Sequence, residues 1–179
     1  MNKDNLQGMF TDIYNAESDG LFRFCASRVS DREQALDLTQ EAFTRFWSTL
    51  NQGTQIDHPK TFLYTIARNC IIDWYRKKKA VSLEGMADVE TDEPYEQVSD
   101  SAAIDLGLEH EGRFLVDKIR QLSDGHRDAV YLRFIEGLAP PDIGKILKIS
   151  ANAASVRINR GISELRKLTG YEIDEREGN

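Results

Sequence analysis

Residues 140–168 read PPDIGKILKISANAASVRINRGISELRKL. Pro140-Pro141 opens a short helix, since proline at the first helical position lacks only an N–H that the helix leaves unused. Ile143, Ile146 and Leu147 turn inward at helical spacing. Lys148-Ile149 ends that helix, and Ser150 is a good N-cap for a longer one that runs to about Leu168. The longer helix points Ala154, Ile158, Ile162 and Leu165 inward and carries Arg157, Arg160, Arg166 and Lys167. Two helices joined by a turn of about three residues, the second longer and basic, are a helix-turn-helix. Such a unit lays the start of its second helix in the DNA major groove. The groove-facing candidates are Asn152, Ser155, Val156, Arg157, Asn159 and Arg160. Arginine pairs with phosphates or guanine edges, and asparagine can pair with adenine.

Just upstream, Phe114, Leu115, Ile119 and Leu122 make a short helix face closed by Ser123-Asp124-Gly125. Ala129, Val130, Leu132, Arg133 and Phe134 form the next helix, ending at Glu136-Gly137. Residues 113–170 carry 11 Lys and Arg against 6 Asp and Glu, a charge of +5. The whole chain of 179 residues has a charge of −7, so its charge is segregated. Residues 1–79 stand at +1, residues 80–112 hold 10 acids and no Lys or Arg, and the tail 171–179 stands at −3. A uniformly acidic protein repels nucleic acid, whereas a segregated one can bind it through its basic blocks. The acidic stretch has few large apolar residues at helical spacing before Ile104, Leu106 and Leu108, so it reads as a linker. It serves either as a solvated tether or as a mimic of nucleic acid that occupies a basic channel.

The first block, residues 1–79, is helical throughout its pattern. Phe10, Ile13, Tyr14, Leu21, Phe24, Cys25 and Val29 recur at steps that suit one helix face. Ser30-Asp31-Arg32-Glu33 reads as a capping box with Ser30 as N-cap. The helix it opens puts Phe43, Phe46, Trp47 and Leu50 on one side, puts Asp37, Gln40, Glu41 and Arg45 on the other, and stops at Asn51-Gln52-Gly53. A third helix starts at His58-Pro59 with Leu63, Ile66, Ala67, Cys70 and Trp74 as its buried stripe. Its other faces carry Arg68, Asn69, Asp73 and Arg76, then Lys77, Lys78 and Lys79. Trp74 and Tyr75 lie beside that run, and aromatic rings next to cations suit single-stranded nucleic acid, where bases stack and phosphates pair. A basic helix end favoured by the helix dipole explains the same residues without DNA.

The expected architecture is all-α: a helical bundle over 1–79, an acidic linker over 80–112, a helix-turn-helix domain over 113–170 and an acidic tail over 171–179. No stretch reaches the roughly 20 apolar residues of a bilayer helix, which argues against membrane insertion. The N-terminus lacks a signal-peptide pattern, which points to the cytoplasm. Cys25 and Cys70 have no paired spacing, and with only His58, His110 and His126 the chain is expected to hold neither metal nor cofactor. There is no phosphate-binding glycine loop and no nucleophile–base pair, so an enzyme is not expected.

Three of these segments, in this order, resemble the sigma-70 family, best of all its small extracytoplasmic-function (ECF) members. Asp37-Leu38-Thr39-Gln40-Glu41-Ala42-Phe43, followed by Phe46-Trp47, resembles that family's polymerase-binding helix. Phe62-Leu63-Tyr64-Thr65-Ile66-Ala67-Arg68-Asn69, then Asp73-Trp74-Tyr75-Arg76, resembles its segment for recognising and melting the upstream promoter element. Leu122 through Leu165-Arg166 resembles the region that reads the distal element. Together the matches cover about residues 9–79 and 113–168.

The resemblance implies a non-catalytic subunit that joins core RNA polymerase, chooses promoter DNA and helps open it. Asp37, Gln40 and Glu41 would contact polymerase, while Phe43 and Trp47 either join them or are core that positions them. Asn69 matches the position beside a pocket for a flipped base, with Arg68, Asp73 and Arg76 around it and Lys77, Lys78 and Lys79 on the backbone. Extruding a base costs a few kcal/mol, which the pocket must offset. An anti-sigma partner is also implied, though no residue identifies it. The chain departs from the family pattern at Ala153-Ala154-Ser155, where a core valine is shortened and a frequent DNA cation is absent. The competing reading is a helix-turn-helix regulator that acts without joining polymerase.

Overall fold

The computed structural model describes residues 3–29, 31–83 and 110–170. These form seven helices and no strand among the described residues. The chain divides into two compact units, residues 1–106 and 107–179. The expected capping residue Ser30, most of the acidic stretch (84–109) and the acidic tail lie outside the described residues.

The first unit contains α1 (Lys3–Ala26), α2 (Arg32–Asn51) and α3 (Pro59–Leu83). All three pack on one another around Leu21, Phe24, Ala35, Leu38, Phe46, Leu50, Leu63, Tyr64 and Ala67, each nearly or wholly buried. Burying a Leu or Phe side chain contributes about 1.5–3 kcal/mol, so this cluster dominates the unit's stability. The N-cap of α2 is Asp31, whose side chain accepts the Glu33 backbone N–H at 3.2 Å. That places the cap one residue later than the capping-box reading. The stop at Asn51-Gln52-Gly53 is as expected: α2 ends at Asn51 and Gly53 takes φ +80°. The Tyr75 hydroxyl donates to the Arg28 carbonyl, tying the second half of α3 to the turn after α1. Cys25 and Cys70 are both free and buried. Burial pushes the Cys25 thiol up to about 12 and the Cys70 thiol to about 11, which makes both poor nucleophiles.

The second unit contains α4 (His110–Arg120), α5 (Asp124–Phe134), α6 (Pro140–Leu147) and α7 (Ala151–Thr169). Its core joins Val116, Ile119, Leu122, Val130, Tyr131, Leu132, Ile143, Ile146, Ala154 and Ile158. On α4 Val116 and Ile119 turn inward, and Leu122 just beyond it is buried too. Of the expected face Ile119 and Leu122 are buried, whereas Phe114 and Leu115 are exposed and Val116 takes their place. Pro140 opens α6 and Ser150 caps α7, its hydroxyl accepting the Ala153 N–H at 3.1 Å, both as expected. The turn between them depends on Lys148 in the left-handed region (φ 56°) and on the Ile149 N–H reaching the Gly144 carbonyl at 2.9 Å. A side chain at residue 144 would stand 2.8 Å from the Ile149 carbonyl oxygen, so only glycine lets the chain fold back this tightly. Arg127 braces the approach to α5, donating to the Leu122 carbonyl at 3.2 and 2.9 Å and pairing with Asp124 at 3.0 Å.

Candidate polymerase and nucleic-acid interfaces

Helix α2 presents two adjoining surfaces. Asp37, Gln40 and Glu41 are exposed, with Thr44 between them on the solvent side. Phe43 is buried and Trp47 half-buried, and both turn towards α1. There Phe10 meets Trp47 at 5.1 Å between ring centroids, and Tyr14 meets Phe43 at 4.8 Å. Together with Leu36, Phe22, Gln40 and Thr44 these rings line an open groove of about 950 Å³ between α1 and α2. Leu36 and Tyr14 are large apolar side chains left exposed at its rim. The sequence reading places Tyr14 on the apolar face of α1 and does not single out Leu36, although Leu36, Gln40, Phe43 and Trp47 fall at i, i+4, i+7 and i+11 and so trace one edge of the helix.

On α3 the candidate residues separate by angle, at about 100° per residue. Asn69, Asp73 and Arg76 line up at i, i+4 and i+7; Arg68 and Lys79 flank them on one side and Lys77 on the other. Arg68, Asn69 and Asp73 are partly buried, whereas Arg76 and Lys77–Lys79 are exposed. Lys78 leaves this group, its ammonium lying 5.0 Å from the centroid of the Trp74 ring. Trp74 is also packed edge-on against Tyr75 at 4.7 Å, so one ring face already has a cation over it. Helices α2 and α3 are bridged by Arg45, whose Nη2 lies 2.6 Å from Glu41 Oε1 and whose Nη1 lies 3.7 Å from Asp73 Oδ2.

On α7, Asn152, Val156, Asn159 and Arg160 are exposed on one side of the helix start. Ser155 is beside them, but its hydroxyl donates to the Ala151 carbonyl at 3.1 Å within its own helix. Arg157 turns the other way: its guanidinium lies over Gly125, where an added methyl would sit 3.4 Å from Nη1. Next to it, Glu164 of α7 receives the Ser123 N–H at 3.1 Å and lies 2.8 Å from His126 Nδ1. Burial opposes the Glu164 charge, yet the His126 and Ser123 hydrogen bonds prevail and hold its carboxyl below the usual glutamate range. This junction fixes the start of α5 against the middle of α7.

The two units therefore define an all-α protein in which a three-helix module precedes a helix-turn-helix module. Residues 13–81 match the family described as Sigma-70 region 2, and residues 119–167 match Sigma-70, region 4. The ECF RNA polymerase sigma factor SigW of Bacillus subtilis is 31% identical over 170 residues, spanning 90% of this chain and 89% of that one. RNA polymerase sigma factor CarQ of Myxococcus xanthus is 30% identical, covering 94% and 93%. Among solved structures, the sigma factor RpoE of Bartonella quintana, crystallised with the anti-sigma factor NepR, shares the fold at a TM-score of 0.69 and 21% identity, over 91% of this chain and 98% of that one. The chain belongs to the sigma-70 family and is an RNA polymerase sigma factor of the ECF type. None of these families or relatives is named for a catalytic activity. Among the described residues no helix is long and apolar enough to cross a membrane.

Proposed function

We propose that the chain docks on core RNA polymerase through α2, opens the upstream promoter element with α3 and reads the distal element with α7. It adds no chemistry of its own and acts in the cytoplasm. The observation that carries this reading is the division of surfaces within one small module. The α2 edge is acidic and polar beside an aromatic groove, which suits a protein partner. The α3 edge gathers Arg68, Asn69, Arg76, Lys77 and Lys79, which suits a single strand. A regulator that only binds duplex DNA has no use for the first of these. The acidic linker tethers the modules, and an anti-sigma protein covering either docking surface would silence the chain.

The test is transcription in vitro with core polymerase, with and without this chain, sequencing the 5′ ends of the products. New start sites that require the chain support the reading. A chain that binds promoter duplex but neither joins polymerase nor moves start sites is a conventional regulator. Asn69→Ala is expected to lower permanganate reactivity of promoter thymines several-fold while holoenzyme formation stays as in wild type, and equal reactivity removes Asn69 from strand opening.

A further inference from the structure

The strand-opening edge of α3 contains one acid, Asp73, the only acidic residue of that helix. It follows Asn69 by one turn, among groups that have to accept a polyanion. An uncompensated carboxylate there repels each phosphate that approaches Arg68, Arg76 or Lys77. The compensating charge comes from a different helix: Arg45 of α2 stands 3.7 Å from Asp73 and is held from its other side by Glu41 at 2.6 Å. All three side chains are 44–46% exposed, so the pair is screened and contributes little to folding. Its effect falls instead on whatever charged ligand comes to that edge.

Building on the strand-opening role given to α3, we propose that Arg45 is a positioning residue of that surface, contributed by the polymerase-docking helix. It offsets Asp73 and keeps this carboxylate turned towards α2, so that a melted strand meets the edge as a continuous cationic track. Arg45 thereby shares one ion network with Glu41 on the docking surface and with Asp73 on the DNA surface.

The experiment uses full-length chain, core polymerase and a promoter at which wild type initiates. Holoenzyme formation is measured separately, and opening is read by permanganate reactivity at saturating holoenzyme over a series of salt concentrations. Arg45→Gln is expected to form holoenzyme as wild type does, to lower opening about three- to fivefold and to flatten the log–log salt dependence by about one unit. Adding Asp73→Asn to Arg45→Gln is expected to restore both readouts, because no carboxylate then needs an offset. Adding Asp12→Asn instead, which restores the same net charge from α1, is expected to restore neither. The proposal is overturned if Arg45→Gln opens as wild type, if its defect lies wholly in holoenzyme formation, or if Asp12→Asn rescues as well as Asp73→Asn. Wild-type chain that joins polymerase but opens no promoter defeats the strand-opening reading and this inference together, whereas the variants, compared on a functioning wild type, bear on Arg45 alone.

Discussion

Glu164 on α7 holds Ser123 at the start of α5 by its backbone N–H (3.1 Å) and its hydroxyl (3.3 Å), and its second oxygen lies 2.8 Å from His126 Nδ1. Ser123 makes no side-chain capping bond within α5. A glutamate from a neighbouring helix thus takes the part that a capping-box glutamate plays locally. The consequence is tertiary, since helix-end satisfaction and the α5–α7 packing become one interaction.

The Glu164 carboxyl is held below its usual range, so the sign of its pH effect is fixed. A depressed carboxylate adds stability above the unfolded pKa, about 4.3, and loses it as pH falls through the folded value. Glu164→Gln is expected to cost about 1 kcal/mol at pH 7, and the difference from wild type is expected to shrink as the pH drops below about 4. Hydrogen exchange of the Ser123 amide reads this locally. Equal exchange in the two proteins at pH 7 would show that the carboxylate does not hold that N–H.

Gly161 sits where α7 crosses α5, and a Cβ there would meet Val130 Cγ2 at 2.5 Å and His126 Cβ at 3.2 Å. Alanine is the better helix former by about 1 kcal/mol, yet Gly161→Ala is expected to destabilise the chain by about 1–3 kcal/mol through overpacking. Combining it with Val130→Ala removes the nearest obstacle and is expected to recover part of the loss. Chemical denaturation of the four proteins of this cycle measures the coupling, and strictly additive changes would mean that the helices simply separate.

Much of this fold is legible locally. Pro59, Pro140 and Ser150 start helices because ring geometry or a hydroxyl cap acts within one turn, and Gly53 ends one for a similarly local reason. Ser30 and Asp31 illustrate the limit: two cap-competent residues stand side by side, and the sequence does not rank them. Phe114-Leu115-Val116 sweeps more than half the circumference of α4, so only the position of α5 and α7 decides that Val116 turns inward. Arg157 follows the same logic. It reads as a DNA-facing cation from composition, and the neighbouring α5 is what draws it over Gly125. The Arg45–Asp73 pair joins two helices and leaves no trace in the spacing of either.

Arg157 and Arg160 are accordingly expected to part company. Arg160 is exposed at the open side of α7, and Arg160→Ala should weaken promoter binding and reduce the salt slope by about one unit for a lost phosphate contact. Arg157 is engaged with α5, so Arg157→Ala should alter that slope less and lower the thermal midpoint instead. Fluorescence anisotropy of labelled promoter DNA with holoenzyme, titrated with salt, separates them. Equal slopes for the two variants would return Arg157 to the DNA interface.

The groove between α1 and α2 decides whether its aromatic residues touch a partner or only support those that do. Phe43 is 5% exposed and lies 4.8 Å from Tyr14, so Phe43→Ala is expected to cost about 3–5 kcal/mol of stability, with loss of polymerase binding following from unfolding. Leu36 is 39% exposed on the same rim, so Leu36→Glu is expected to leave the thermal midpoint within a few degrees of wild type. It puts a charge where a partner's apolar side chain would have to lose its water, which should weaken holoenzyme formation at least tenfold. Trp47, half-buried against Phe10 at 5.1 Å, is expected to show both effects in part. Competition binding to core polymerase, paired with thermal melts of each variant, distinguishes these cases. If Leu36→Glu competes as well as wild type, the groove is not part of the docking surface, and contact has to rest on Asp37, Gln40 and Glu41 alone.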